Sequence, residues 1–437
     1  MLPILEDSEF NLDEIPSDDD DDADIFNTDD SESEKSSDGD TEEDCDIHNY
    51  TMEVSDGTEK GQNFLTIISQ VVVNGYNSKG NAVQKSFIVK SSPFTEATAK
   101  INDLLQDAFI REVYIYVKLF REFRLIQQEK NITDPFKSYP EYFTSSLQNC
   151  GESIVLQDLK AYGYKHWNRE NPTDFNHAVL LMKEYGRFHA LSFAIRDQKP
   201  QLFEDIIENT RLSWFHNLNQ KVIHDLSKDR VEQALNTLNP IEDKLVYDKF
   251  KQFSENMFEV LLECIDVTSA SQYDVVNHVD CSLSNFMFKY EDQEDPHKPT
   301  SICFLDWQLS YLCSPAIDIS TAIFSSTDKK LRDEHYNDLI QEYYNSLCLM
   351  LEKLGTDAKD TLPFTVLQQH LKKYSILGLY MSTLLVYVQS MKKEEIPNMA
   401  NDTTQFRFKL NDFKKYNTRM RDIILDFDAF GYNFSFD

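Results

Sequence analysis

From Gly57 onward the apolar positions fall into short β-branched runs. The stretch DGTEKGQNFLTIISQVVV sets Gly57 and Gly61 ahead of the first run. NGYNSKGN (74–81) reads as a turn, and AVQKSFIVK (82–90) as a second strand, so 57–90 predicts two adjacent antiparallel strands. The period then lengthens. Leu105, Phe109, Val113, Tyr116 and Phe120 recur at helical spacing in DLLQDAFIREVYIYVKLFREF, which also holds Glu112. ESIVLQDL (152–159) is another short apolar strand ending in a polar bend. Beyond it the helical period dominates, in 177–195 and around 241–266 and 331–355. The pattern predicts an α+β chain with no internal repeat. A small β-rich lobe spans 51–155 and a larger, mainly helical lobe spans 156–437.

Composition changes this picture at the N-terminus. Residues 1–50 carry 21 Asp and Glu and one Lys, which leaves −12 of the net −32 for the remainder. A segment so charged and so poor in large apolar residues is expected to be a disordered acidic tail. Ser17, Ser31, Ser33, Ser36 and Ser37 stand among its carboxylates as candidate targets of an acidophilic kinase, which would only add charge. The rest, in a chain 41% hydrophobic and 12% aromatic, can bury two lobes. Its acidity excludes nucleic-acid binding by general electrostatics.

Seven cysteines without a C-x-x-C pair suit reduced thiols and a cytoplasmic protein. No signal pattern opens the chain. The most apolar stretch, 374–388, is shorter than a bilayer requires and predicts a buried helix. Nothing implies a membrane or an obligate protein partner.

Candidate chemistry sits in HVDCSLSNFMF (278–288). Phosphoryl transfer needs a carboxylate to orient the attacking hydroxyl and hard oxygen ligands to hold Mg²⁺ on the phosphates. It also needs a Lys on the phosphates and a Glu to hold that Lys. Lys90, Glu112, Asp280, Asn285 and Asp306 supply these parts in chain order. NFMF and SICFL read as the strands of a hairpin that returns Asp306 beside Asn285. His278 is expected to brace the loop. His177 and His189 are expected to pack within helices, and Cys281 to fill space rather than react.

These motifs resemble the insect ecdysteroid-kinase-like family, also described as CHK kinase-like, which is related to aminoglycoside and choline kinases. The similarity runs over about 55–430. It is carried by GTEKGQNF, FIVK, FIREVYIY, IVLQDL, FHALS, HVDCSLSNFMF, FLDWQLS and SPAIDISTAIFSSTD. The resemblance implies a bilobal protein-kinase-like fold using ATP and Mg²⁺. Asp280 would be the catalytic base, Asn285 and Asp306 the metal ligands, and Lys90 with Glu112 the phosphate-positioning pair. Gly57 and Gly61 would lie in the phosphate-covering turn. The adenine ring would meet backbone around Leu156, Gln157, Asp158 and Leu159. Asp318 would brace the catalytic loop.

The sequence departs from the family pattern at Val279, where Gly is usual, and at Ser282, Ser284 and Gln157, where Trp, Asn and Glu are usual. Val279 would shift the loop if that Gly adopts a backbone angle that a β-branched residue avoids. Asp306 and Asp318 are twelve residues apart with no A-P-E-type segment between them, which points to a small-molecule alcohol as acceptor rather than a polypeptide. The resemblance suggests an ecdysteroid or a hydroxylated xenobiotic or plant metabolite. The acceptor pocket is expected in the helical lobe, between the Asp280 loop and 374–388. Two alternatives stay open on the sequence. One is a catalytically weak relative that sequesters a small molecule; the other is a choline- or ethanolamine-type kinase.

Overall fold

The computed structural model describes residues 47–58, 66–93, 102–210, 221–266, 271–292, 295–396 and 409–436. Gly61 and the acidic stretch 1–46 lie outside the described residues.

The first lobe is a five-stranded antiparallel sheet. Its strands are β1 (His48–Asp56), β2 (Ile67–Tyr76), β3 (Ala82–Ser91), β4 (Tyr142–Ser146) and β5 (Ser153–Gln157), in the order β1-β2-β3-β5-β4. The two strands read from the sequence are β2 and β3. The sheet also holds β1, which reaches three residues back into the stretch read as tail. Eight of its nine residues are exposed, so HNYTMEVSD carries no inside-outside alternation that would mark a strand. Ile47, just before it, is buried in a small cluster with Val71, Val73, Phe87, Val89 and Val155.

Between β3 and β4 the predicted helix forms in three pieces. α1 (Asn102–Tyr114) and α2 (Phe120–Glu129) flank one π-helical turn, Ile115–Leu119. The extra residue of that turn re-aims the side chains that follow. Phe120 stacks on Tyr139 at 3.8 Å and meets Trp307 edge-on at 4.9 Å.

A short strand, β6 (Lys165–His166), opens the helical lobe. Then come α3 (Phe175–Gln198), α4 (Pro200–Thr210), α5 (Lys221–Leu235) and α6 (Lys244–Cys264). Strands β7 (Val275–Asn277), β8 (Phe286–Tyr290), β9 (Pro299–Phe304) and β10 (Tyr311–Cys313) follow. The chain closes with α7 (Ala316–Ser326), α8 (Lys329–Leu354), α9 (Ala358–Thr361), α10 (Phe364–Gln389) and α11 (Lys414–Ala429). The main core lies here, where α3 packs on α8 and α7 on α10. Gly378 permits the second contact, because a Cβ there would overlap the Ser320 side chain and stand 2.8 Å from the Thr321 nitrogen.

This packing bears on the stretch 374–388, expected to wall an acceptor pocket. Residues 375–383 are all buried in α10, so these side chains serve the core. No helix among the described residues is long and apolar enough to cross a membrane.

Candidate active site

β3 alternates, so Phe87 and Val89 enter the small sheet cluster while Ile88 and Lys90 face a cleft between the lobes. Across the ladder Lys90 pairs with Ile68 of β2, which lines the same cleft. α1 buries Leu105, Phe109 and Val113 on one stripe and presents Glu112 beside them. Lys90 Nζ donates to Glu112 Oε2 at 2.5 Å and to Asp306 Oδ1 at 2.5 Å. Three residues distant in sequence thus meet at one ammonium.

Asp306 arrives through the hairpin. β8 pairs antiparallel with β9, with Phe286 opposite Phe304. One step beyond, Leu305 N–H donates to Asn285 O at 2.9 Å. That register sets Asn285 and Asp306 together at the hairpin base. Asp306 has φ +66°, a left-handed conformation that Asp tolerates better than most residues. Trp307 is fully buried after it, edge-on to the His278 ring at 4.5 Å.

The loop before β8 is held from below by α7. Asp318, fully buried, accepts His278 N–H through Oδ2 and Val279 N–H through Oδ1, each at 2.7 Å. His189 Nε2 lies 3.2 Å from Oδ2. His278 Nε2 reaches Leu305 O at 2.9 Å, tying the loop to the hairpin, and burial lowers its pKa. Asp280 N–H donates to His278 O and Cys281 N–H to Val279 O, both at 2.9 Å. These i to i+2 bonds make a tight turn with Val279 at φ +71°. A β-branched residue therefore occupies the backbone angle that favours glycine. The loop nonetheless keeps its hydrogen bonds, and Asn285 Nδ2 donates to Asp280 O at 3.2 Å. Ser282 and Ser284 hydroxyls pair at 2.9 Å, and Ser284 lines the cleft.

His177 and His189 lie within α3, fully buried. Cys281 is also fully buried, and burial raises its thiol pKa well above the ordinary range.

The cleft encloses about 700 Å³, including its open mouth. Ile68, Ile88, Leu156, Leu159, Met287 and Leu305 supply apolar walls, and Lys90, Glu112, Asn285 and Asp306 the polar end. Gly57 sits at the edge, where a Cβ would approach Ile68 Cγ2 to 2.8 Å. Gln157 and Asp158 also line it, but the Asp158 carboxylate is aimed at the sheet. Its Oδ2 accepts from Gln70 Nε2 and Ser86 Oγ, each at 2.7 Å. Lys160 and His166 also line it, and sequence reasoning named neither. Their positions follow from the turn after β5 and from the pairing of β6 with β8, long-range features without a local signal.

The charges are crowded. Burial acts to lower the Lys90 pKa, but Asp306 and Glu112 outweigh it and the net shift is upward. Burial pushes the Glu112 carboxyl up to about 7 against the pull of Lys90. Burial, reinforced by Asp306, pushes Asp280 up to about 7, while Asn285 and Lys90 pull it back. No group of three His, Cys, Asp or Glu among the described residues is placed to hold a metal alone. Asn285 and Asp306 both line the cleft, one bearing an amide oxygen and the other a carboxylate. That donor set suits Mg²⁺, which takes one or two protein oxygens and completes its shell from phosphate and water.

A small antiparallel lobe over a larger helical one, with a Lys–Glu pair and a looped Asp at their junction, defines a bilobal kinase-like α+β fold. The chain belongs to the ecdysteroid kinase-like family, whose model matches residues 60–356. Membership places it among kinase-like proteins that act on small molecules. A search of the curated proteins finds no match.

Proposed function

We propose that this protein is an ATP- and Mg²⁺-dependent O-phosphotransferase acting on a hydroxyl of a small molecule. The observation that carries the reading is Lys90 bound at 2.5 Å to both Glu112 and Asp306 at the polar end of the cleft. In phosphoryl transfer such a Lys–Glu pair positions the phosphates. The apolar walls near Leu156 and Leu159 would receive adenine, and Lys90 with the turn at Gly57 would hold the phosphates. Mg²⁺ on Asn285 and Asp306 would neutralise phosphate charge. Glu112 holds Lys90 in place. Asp280 orients the acceptor hydroxyl and takes its proton as the new O–P bond forms and ADP leaves. His278 and Asp318 fix the loop so that this carboxylate is preorganised.

The acceptor class suggested by the family name is an ecdysteroid. A hydroxylated xenobiotic or plant metabolite fits the same chemistry, since phosphate turns an apolar alcohol into a water-soluble anion. A cytoplasmic location suits the six free cysteines among the described residues. The test is a mass-spectrometric screen with ATP, Mg²⁺, ecdysteroids, hydroxylated plant compounds, choline and ethanolamine. A product heavier by one phosphate, made by the wild type and not by Asp280→Asn, is expected. ATP binding without any product across the panel would overturn the reading in favour of a sequestering protein.

A further inference from the structure

Lys160 stands on a short 3₁₀ turn, Leu159–Tyr162, directly after the strand β5 that leads out of the sheet. It is exposed, yet it lines the cleft, so it sits at the opening. Its Nζ donates to the carbonyl of Gly57 at 2.9 Å across a separation of 103 residues. Both ends of that link rest on the same sheet. Gly57 N–H donates to Ile68 O of β2 at 3.0 Å. The Lys160 N–H donates to Asp158 Oδ1 at 3.1 Å, and the other oxygen of that carboxylate is held by Gln70 of β2 and Ser86 of β3. The backbone at each end is thus fixed, and the free element between them is the lysine side chain.

We infer that Lys160 is a positioning residue that bars the mouth of the nucleotide cleft, closing over a bound nucleoside triphosphate by its hydrogen bond to the Gly57 carbonyl. The inference rests on the kinase reading of the cleft. Because the hydrogen bonds of Lys160 go to Gly57 and Asp158 and not to Lys90, Asp280, Asn285 or Asp306, its loss changes nucleotide exchange rather than the chemical step. One hydrogen bond from a charged donor is worth about tenfold in the rate of escape.

The experiment follows release of a fluorescent ATP analogue with Mg²⁺ from the full chain, in wild type, Lys160→Met and Lys160→Arg. Release from Lys160→Met is expected to be about tenfold faster. Lys160→Arg, which can still reach the carbonyl, returns it toward the wild-type rate, and thermal unfolding is unchanged in both. Equal release from wild type and Lys160→Met overturns the bar and leaves the kinase reading intact. A wild type that takes up no nucleotide overturns both.

Discussion

At the scale of the residue, Asp280 and Val279 pull in different directions. Burial pushes Asp280 and Glu112 up to about 7 from ordinary values near 4. A raised carboxyl pKa means that the folded state holds protons the unfolded chain has already lost. Stability from this source is full below about pH 4 and falls as pH rises through about 7. Under the proposed mechanism activity runs the other way, since Asp280 must be ionised to take the proton, so kcat/KM is expected to rise with pH through the same window. Asp280→Asn should lower turnover by about 10²- to 10⁴-fold. It should also raise the unfolding temperature of the ligand-free protein at pH 8 and leave it unchanged at pH 4. A variant less stable than wild type at pH 8 would refute the charge argument. Val279 holds a left-handed angle that costs about 1–2 kcal/mol for an ordinary residue, while its buried side chain returns about 1.5–3 kcal/mol. Gly is normally the costlier replacement. Here Val279→Gly should be no more destabilising than Val279→Ala by denaturant titration, because glycine alone relieves the backbone.

At the scale of the element, cations close the C-terminal ends of the core helices. Arg332 Nη1 donates to Thr327 O just past α7, and its Nε to Asp426 Oδ2 of α11 at 2.7 Å. Arg419 reaches Ser325 O, and Arg169 reaches Val388 O at the end of α10. Carbonyls left open by each helix end are satisfied where three elements converge. Arg332 and Asp426 are both buried, so Arg332→Met leaves a carboxylate poorly compensated and should cost about 3–5 kcal/mol. Lys329 meets the same carboxylate from a side chain 41% exposed, and Lys329→Met should cost less than about 1 kcal/mol. Equal losses in the two variants would show that burial does not set the difference.

At the scale of the whole molecule, the sheet begins at His48 and its small cluster includes Ile47. Deleting 1–46 removes the acidic stretch and none of these residues, so the unfolding midpoint and activity should stay as in the full chain. Deleting 1–56 also removes β1 and Ile47, exposes β2 as an edge, and should lower the midpoint. Two truncations that unfold alike would show that β1 adds nothing to the lobe.

Much of the architecture was legible because it rests on local periodicity. β2, β3, α3 and α10 follow from apolar spacing alone. Lys90, Glu112, Asp280, Asn285 and Asp306 could be singled out as candidates because the proposed phosphoryl transfer would require such side chains on a strand, a helix and a loop. β1 was not legible, having almost no buried face, and neither was the π turn, whose effect depends on where Phe120 packs. The sequence by itself determined which groups were present and on which kinds of element. Only the tertiary structure decided that one ammonium joins Glu112 to Asp306, that Val279 bears a left-handed angle, and that Lys160 reaches the Gly57 carbonyl. The reason is that each of these depends on contacts between segments far apart in the chain, or on a backbone angle imposed by such contacts, and local residue order does not encode those distances.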